Sequence, residues 1–244
     1  MRRFFVRPEE ITGETILLTG PEVHHLRVVL RLQPGSNIEL FDGTGTIYQA
    51  EVQNLTPDSI RGRIIQKYVE LVHDPFPVTL AQGILKGKKM DVVVQKATEL
   101  GVATLIPVLS CYCEAGKNLE RRIDRWQRVV LESCKQCGRA NPMRISSVQE
   151  LADISVAAFP YPVFCWEKEK RSFLTPGYLA VPGQVLLLIG PEGGFNDQEV
   201  EWATDNNFQS VRLGPYVLRA ETAALAAVSI VKYLGSLAGT DGDN

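Results

Sequence analysis

Val185-Leu186-Leu187-Leu188-Ile189-Gly190-Pro191-Glu192-Gly193-Gly194-Phe195 is the stretch whose reading decides the fold. Its five aliphatic residues form a continuous apolar strand, the kind covered on both faces in a parallel sheet. Asn196 and Glu199 follow at capping-box spacing and open a helix. The glycines therefore sit between strand and helix, at the carboxyl edge where α/β sheets bind ligands. Glycine there lets backbone approach a ligand closely and present N–H groups. The same residues also read as a plain turn that uses glycine for positive φ. The stretch is neither a Walker A loop nor G-x-G-x-x-G, and no lysine follows it, so triphosphate binding is disfavoured.

Working outward, strands and helices alternate. Val78–Ala81, Ala103–Val108 and Val211-Arg212-Leu213 read as strands. Met90, Val93, Val94, Ala97 and Leu100 line one face of a helix over Lys89–Leu100 that Gly101 stops. Leu119, Ile123, Trp126, Val130, Cys134 and Cys137 mark a second amphipathic helix, and Glu221–Leu237 a long apolar third. This alternation predicts an α/β domain over residues 73–244. Residues 1–72 read differently. Strand patterns at Asn37–Phe41, Ile47–Val52 and Ser59–Ile65 surround the turn signals Asp42-Gly43 and Thr44-Gly45, with one helical stretch at Glu22–Leu32. Many short strands and little helix predict a small barrel or sandwich. Asp74-Pro75-Phe76-Pro77 is the extended connector between the two.

The 244 residues are 45% hydrophobic and 22% charged, the balance of a soluble globular chain long enough to bury its own core. A net charge of −2 excludes gripping nucleic acid by bulk charge but leaves room for a local basic face. Residues 86–144 hold 12 Lys and Arg against 6 Asp and Glu, whereas residues 145–244 hold 6 against 12. The basic segment is either a solvated helix face or a phosphate-binding surface. No apolar run reaches the roughly 20 residues of a bilayer span. The start, Met1-Arg2-Arg3-Phe4-Phe5-Val6-Arg7, is charged too soon for a signal peptide. The chain is expected to be cytoplasmic, with no membrane partner.

Five cysteines, an odd number in such a chain, argue against a disulfide framework. Cys111, Cys113, Cys134 and Cys137 are read as reduced thiols in preference to a four-thiolate zinc site, because the last two fall on a helix. None of His24, His25 and His73 has a metal-type partner spacing, and no hydrolase motif occurs. No metal is expected. A second glycine loop, Leu213-Gly214-Pro215-Tyr216-Val217-Leu218-Arg219-Ala220-Glu221, also leads from strand to helix. Glu221 complements the dipole at the helix start, whereas the charge of Arg219 opposes it. That makes Arg219 the stronger functional candidate of the two.

Six segments, in order, resemble one family. They are Arg3-Phe4-Phe5-Val6; His25-Leu26-Arg27-Val28-Val29-Leu30-Arg31; Lys86-Gly87-Lys88-Lys89-Met90-Asp91 with Gln95-Lys96-Ala97-Thr98-Glu99-Leu100-Gly101-Val102; Gln136-Cys137-Gly138-Arg139; and the two glycine loops. Together they resemble the RsmE-type 16S rRNA methyltransferases of the SPOUT class over nearly the whole chain. Lys135, Tyr112 and Tyr216 stand where that family often carries Glu, Arg and Arg.

The resemblance implies an N-terminal PUA-like β-barrel that binds RNA, followed by a SPOUT α/β domain with a deep C-terminal trefoil knot. It implies S-adenosylmethionine held by Leu109, Ser110, Ile189, Gly190, Pro191, Glu192, Gly193, Gly194, Leu213, Gly214, Val217 and Leu218. It implies a homodimer that methylates N3 of a uridine in 16S rRNA of the small ribosomal subunit. A methyltransferase of the same class acting on another RNA, and a non-catalytic RNA-binding assembly factor, are the alternative readings. Arg219 is the candidate to stabilise the imide anion, and Glu221 to accept the proton. The candidate RNA contacts are Arg3, Arg7, His25, Arg27, Arg31, Lys86, Lys88, Lys89 and Arg139.

Overall fold

A computed structural model describes residues 3–70, 72–113 and 118–240, with the side chains of Pro21, His25, Gly239 and Thr240 also outside the description. The chain divides into two compact units, residues 1–72 with 131–142 and residues 73–130 with 143–244.

The first unit holds β1 (Arg3–Phe5), β2 (Ile11–Thr12), β3 (Thr15–Thr19), α1 (Pro21–His24), β4 (Asn37–Phe41), β5 (Thr46–Leu55) and β6 (Ser59–Val69). They form one sheet in the order β1-β4-β5-β6-β3-β2, antiparallel except for the β1–β4 pair. Phe4 of β1, Ile16 and Leu18 of β3 and Leu40, Ala50 and Ile60 of the central strands share a single core. A core common to strands near both edges requires the sheet to curl on itself. The helical stretch expected over Glu22–Leu32 is shorter than its pattern implied. One α turn passes into a π-helical turn at His25–Val29, and Arg31 then takes a left-handed φ of 51°. Among the described side chains of this stretch only Val23 and Leu26 are buried, too few to anchor a longer helix.

The second unit is built on β7 (Val78–Gly83), α2 (Lys89–Glu99), β8 (Thr104–Leu109), the part of α3 (Leu119–Cys137) up to Val130, β9 (Arg144–Ile145), β10 (Gln149–Glu150), β11 (Tyr161–Cys165), β12 (Val185–Ile189), α4 (Asp197–Asp205), β13 (Gln209–Val211) and α5 (Ala220–Thr240); the rest of α3 belongs to the first unit. Its strands pair only in parallel, in the order β10-β8-β7-β12-β11-β13, with β9 on β8. Every residue of β12 is buried, as a strand covered on both faces must be. Leu186 and Leu188 pack with Phe164, Phe195 and Phe208 on one face, while α5 packs against β7, β12 and α2.

Gly101, at φ 81°, ends α2 in the left-handed conformation its position demands. The Asn196 side chain accepts the Glu199 N–H at 2.8 Å, and Glu199 accepts the Asn196 N–H at 2.9 Å, which completes the expected capping box.

Two sequence expectations need correction. β11 is absent from the sequence reading because Pro162 interrupts Tyr-Pro-Val-Phe-Cys, and proline speaks against an inner strand. It is tolerated here because pairing with β13 begins only at Val163. The second concerns α5. Over Ala220–Ala238 it meets the length and hydropathy of a bilayer-crossing helix. In the fold, its Ala224, Ala227, Val228, Val231 and Leu234 are buried.

Candidate active site

β7 has β8 on one side, reached through α2, and β12, which follows much later in the chain, on the other. Such a switch in strand order opens a crevice at the carboxyl ends of the strands. A cavity of about 420 Å³ lies there, in the size range of small-molecule sites. Its walls are the segments that follow β11 (Cys165 to Glu169), β12 (Ile189 to Phe195) and β13 (Arg212 to Ala223), with Lys89 of α2 at one side.

The two glycine loops thus meet in one place. Ile189, Gly190, Pro191, Glu192, Gly193, Gly194, Leu213, Gly214, Val217, Leu218, Arg219 and Glu221 all line the cavity. Only Gly194 has positive φ, at 71°. Gly190 and Gly193 are required for space. A Cβ at 190 would stand 2.8 Å from the Phe195 ring, and one at 193 would stand 2.6 Å from the Cβ of Tyr112. Gly83, at the end of β7, is tighter still, because a Cβ there would lie 2.5 Å from the Pro191 nitrogen. Buried Gln82 pins the same crossing, donating from Nε2 to the carbonyls of Gly83 at 3.0 Å and Gly190 at 3.2 Å.

Charges in the wall are individually placed. Glu192 Oε1 accepts from the Lys89 ammonium at 2.9 Å and from the Lys86 N–H at 3.2 Å. Burial pushes its carboxyl up, but these bonds outweigh it and hold Glu192 below the ordinary carboxylate range. Glu169 accepts the backbone N–H groups of Lys170, Arg171 and Ser172, which bring it down to about 2. Burial drives the Cys165 thiol up to about 12, so it is a neutral wall group and no nucleophile at neutral pH. Two buried polar atoms of residues in this wall, Trp166 Nε1 and Glu221 Oε2, have no hydrogen-bond partner among the described residues. One orphaned donor and one orphaned acceptor in the wall of a cavity of this size suit a small organic ligand that carries both an acceptor and a donor. Arg219 is exposed, and its side chain makes no hydrogen bond or ion pair among the described residues.

The RNA methyltransferase domain family matches residues 72–232, and the RNA methyltransferase PUA domain family matches residues 18–65. The chain belongs to the RNA methyltransferase family. The ribosomal RNA small subunit methyltransferase E of Aquifex aeolicus is 33% identical over 233 residues, 91% of this chain and 96% of that protein. The protein of the same description from Buchnera aphidicola is 30% identical, over 90% and 91% of the two chains. A solved ribosomal RNA small subunit methyltransferase E from Neisseria gonorrhoeae, bound to S-adenosyl methionine, matches with a TM-score of 0.85. It is 32% identical, over 96% of this chain and 98% of that one.

The methyltransferase distributes the remaining sequence candidates unevenly. Leu109 and Ser110 end and follow β8 and do not line the cavity. The segment after β8 reaches the site instead through Tyr112, which backs Gly193. Arg3 is removed from the RNA candidates, since its guanidinium is held by Glu39 at 2.7 Å and Glu70 at 3.6 Å. Arg7 pairs with Glu10 at 3.2 Å and lies near Glu9. Lys89 belongs to the cavity wall through Glu192. Arg139 donates to the carbonyl of Asn141. Arg27, Arg31, Lys86 and Lys88 are exposed, and the side chain of His25 lies outside the described residues. Much of the basic excess of residues 86–144 is spent internally. Arg122 donates to the Leu85 carbonyl at 2.8 Å, Arg125 pairs with Asp91, and Lys135 with Glu22 and Glu132. Lys135 therefore has a structural use.

The sequence reading missed Trp166, Glu167, Glu169 and Arg212. The first three were hidden with β11. Arg212 was counted inside a strand that in fact ends at Val211, one residue before it. Once β11 is recognised and β13 is ended at Val211, the rule that ligands sit at carboxyl strand ends finds all four.

Proposed function

We propose that this RNA methyltransferase transfers the methyl group of S-adenosylmethionine to N3 of a uridine in 16S rRNA of the small ribosomal subunit. The observation that carries this reading is the meeting of both glycine loops around one acid-lined, apolar cavity, with Arg219 and Glu221 in its wall. S-adenosylmethionine is a cation that bears amino groups and a flat aromatic base. Carboxylates at 167, 192 and 221, an orphaned Trp166 N–H and the aliphatic Ile189, Leu213 and Leu218 suit such a molecule. When bound, it supplies an electrophilic methyl group.

The residues of the chain have the other half of the reaction to perform. N3 of uracil is a poor nucleophile until it loses its proton, and in a duplex it is engaged in pairing, so the base must be exposed. Glu221 Oε2, buried and without a partner, accepts that proton. Arg219 stabilises the negative charge that develops on the imide. In keeping with the resemblance, the 73–244 domain carries a deep trefoil knot and the enzyme is a cytoplasmic homodimer. The exposed large hydrophobic side chains of Tyr216, Val217, Tyr233 and Leu237 support a second copy that covers some of them.

Calorimetry with S-adenosylmethionine, together with primer extension and nucleoside mass spectrometry of 16S rRNA from a strain lacking the gene, tests this reading. Expected are cofactor binding by the purified chain and the loss of one N3-methyluridine from the rRNA. Unchanged nucleoside content would overturn the substrate assignment.

Lys88 is exposed and free of ion pairs among the described residues, so it is the lysine of its motif best placed to meet phosphate. Lys88→Ala is expected to flatten the slope of log K against log salt by about 0.7–0.9 in a filter-binding titration with rRNA fragments. Cofactor affinity should stay unchanged. Lys89→Ala does not separate the two functions, because it also releases Glu192.

A further inference from the structure

The cavity wall that follows β11 has no regular secondary structure, and Glu167, Lys168, Lys170 and Arg171 in it are exposed. Such a segment needs specific bonds to stay in place. Glu169 organises it from within, by accepting three successive N–H groups, and the Ser210 hydroxyl of β13 adds to the same carboxylate. Its ends are tied by backbone. The Trp166 N–H donates to the Val211 carbonyl at 3.1 Å, and the Arg212 N–H to the Ser172 carbonyl at 2.9 Å.

Between those ends the Arg212 side chain bridges from one wall to the next. Arg212 Nη1 donates to the carbonyl of Lys170 at 3.0 Å. Its Nε and Nη2 donate to the carbonyl of Gly214 at 2.9 and 2.7 Å. The guanidinium lies 5.4 Å from the centre of the Phe173 ring. One planar group thus spends three donors on carbonyls of two separate walls, the segment after β11 and the glycine loop after β13. Lysine, a point charge with no fork, cannot reproduce this arrangement.

We infer that Arg212 is a positioning residue that clamps the two walls together and thereby sets affinity for the methyl donor without acting in methyl transfer. The inference rests on the S-adenosylmethionine reading for its ligand, but the clamp itself is a property of the ligand-free chain. Broken charge-assisted bonds on both walls cost on the order of tenfold or more in any equilibrium that needs the walls in register.

The test compares Arg212→Ala and Arg212→Lys with the unchanged protein by three measurements. Hydrogen exchange of the peptide covering residues 166–173 in ligand-free protein should accelerate about tenfold in Arg212→Ala. The dissociation constant for S-adenosylmethionine, by calorimetry, should rise about tenfold or more, while kcat at saturating cofactor stays within about twofold. Arg212→Lys should fall between the two, and it keeps the test usable if the alanine variant fails to fold. Unchanged exchange in both variants would overturn the clamp. Faster exchange with unchanged affinity, or a fall in kcat that saturation does not restore, would overturn the positioning role. If the unchanged protein does not bind S-adenosylmethionine while exchange still responds to Arg212, the methyl-donor reading fails and the ligand assignment made here fails with it.

Discussion

Gly83→Ala is expected to abolish measurable binding of the methyl donor and to lower the melting temperature. Its φ is ordinary, so the objection is purely one of space. The added Cβ would meet the Pro191 nitrogen at 2.5 Å, its Cδ at 2.6 Å and the Gly190 carbonyl carbon at 2.9 Å. None of these is the end of a flexible side chain, so no rotamer change relieves the clash. Either β7 or the Gly190–Gly194 loop must move, and β7 is held by parallel pairing to both β8 and β12. The loop therefore yields, and the two Gln82 bonds to Gly83 and Gly190 are strained with it. Overpacking of this kind costs about 1–3 kcal/mol. For a chain of this size that is a fall of roughly 2–12 °C in melting temperature. Calorimetry and thermal unfolding on the same preparation check both effects. A folded variant with normal affinity would show that the close approach of these loops is not what shapes the site.

Arg219→Ala is expected to lower kcat on the order of 10²-fold, the usual cost of removing one donor aimed at a developing negative charge. Cofactor affinity should change by no more than about twofold. The reasoning starts from placement. Arg219 directly precedes α5, and its carbonyl accepts the Ala223 N–H at 2.8 Å, so the side chain sits at the positive end of a 21-residue helix. The guanidinium makes no ion pair to offset this among the described residues, and it lines the cavity. A group that opposes the helix dipole does not stabilise the fold, so the variant should melt no lower than the unchanged protein. Single-turnover kinetics, cofactor calorimetry and thermal unfolding together decide the matter. Lost cofactor affinity with intact turnover would reassign Arg219 to binding, and a marked fall in melting temperature would make it structural.

Local patterns carried much of this protein in the sequence. The unbroken aliphatic run at 185–189 required burial on both faces and hence a parallel sheet. Asn196 with Glu199 announced the start of α4, Gly101 announced the end of α2, and the spacing from Leu119 to Cys137 outlined α3. Each of these signals acts within one or two turns of chain, where propensity and capping are decided. The glycine loops were legible for the same reason, because a strand, a turn and a helix start are contiguous.

Only the tertiary structure decided which distant segments share a wall and which charges are already spent. Arg3 and Arg7 looked available until Glu39, Glu70 and Glu10 were found beside them, and Lys89 looked like an RNA contact until Glu192 was found 2.9 Å away. The need for glycine at 83, 190 and 193 is set by Pro191, Phe195 and Tyr112, not by the conformation of the glycines themselves. The strand β11, masked by Pro162, brings Trp166 and Glu169 to the cavity, and Arg212 joins that wall to the next. Whether a cation binds a phosphate, a carboxylate or a carbonyl depends on what lies within about 4 Å. Across this fold those neighbours come from residues up to 158 positions away, as for Lys232 and Asp74.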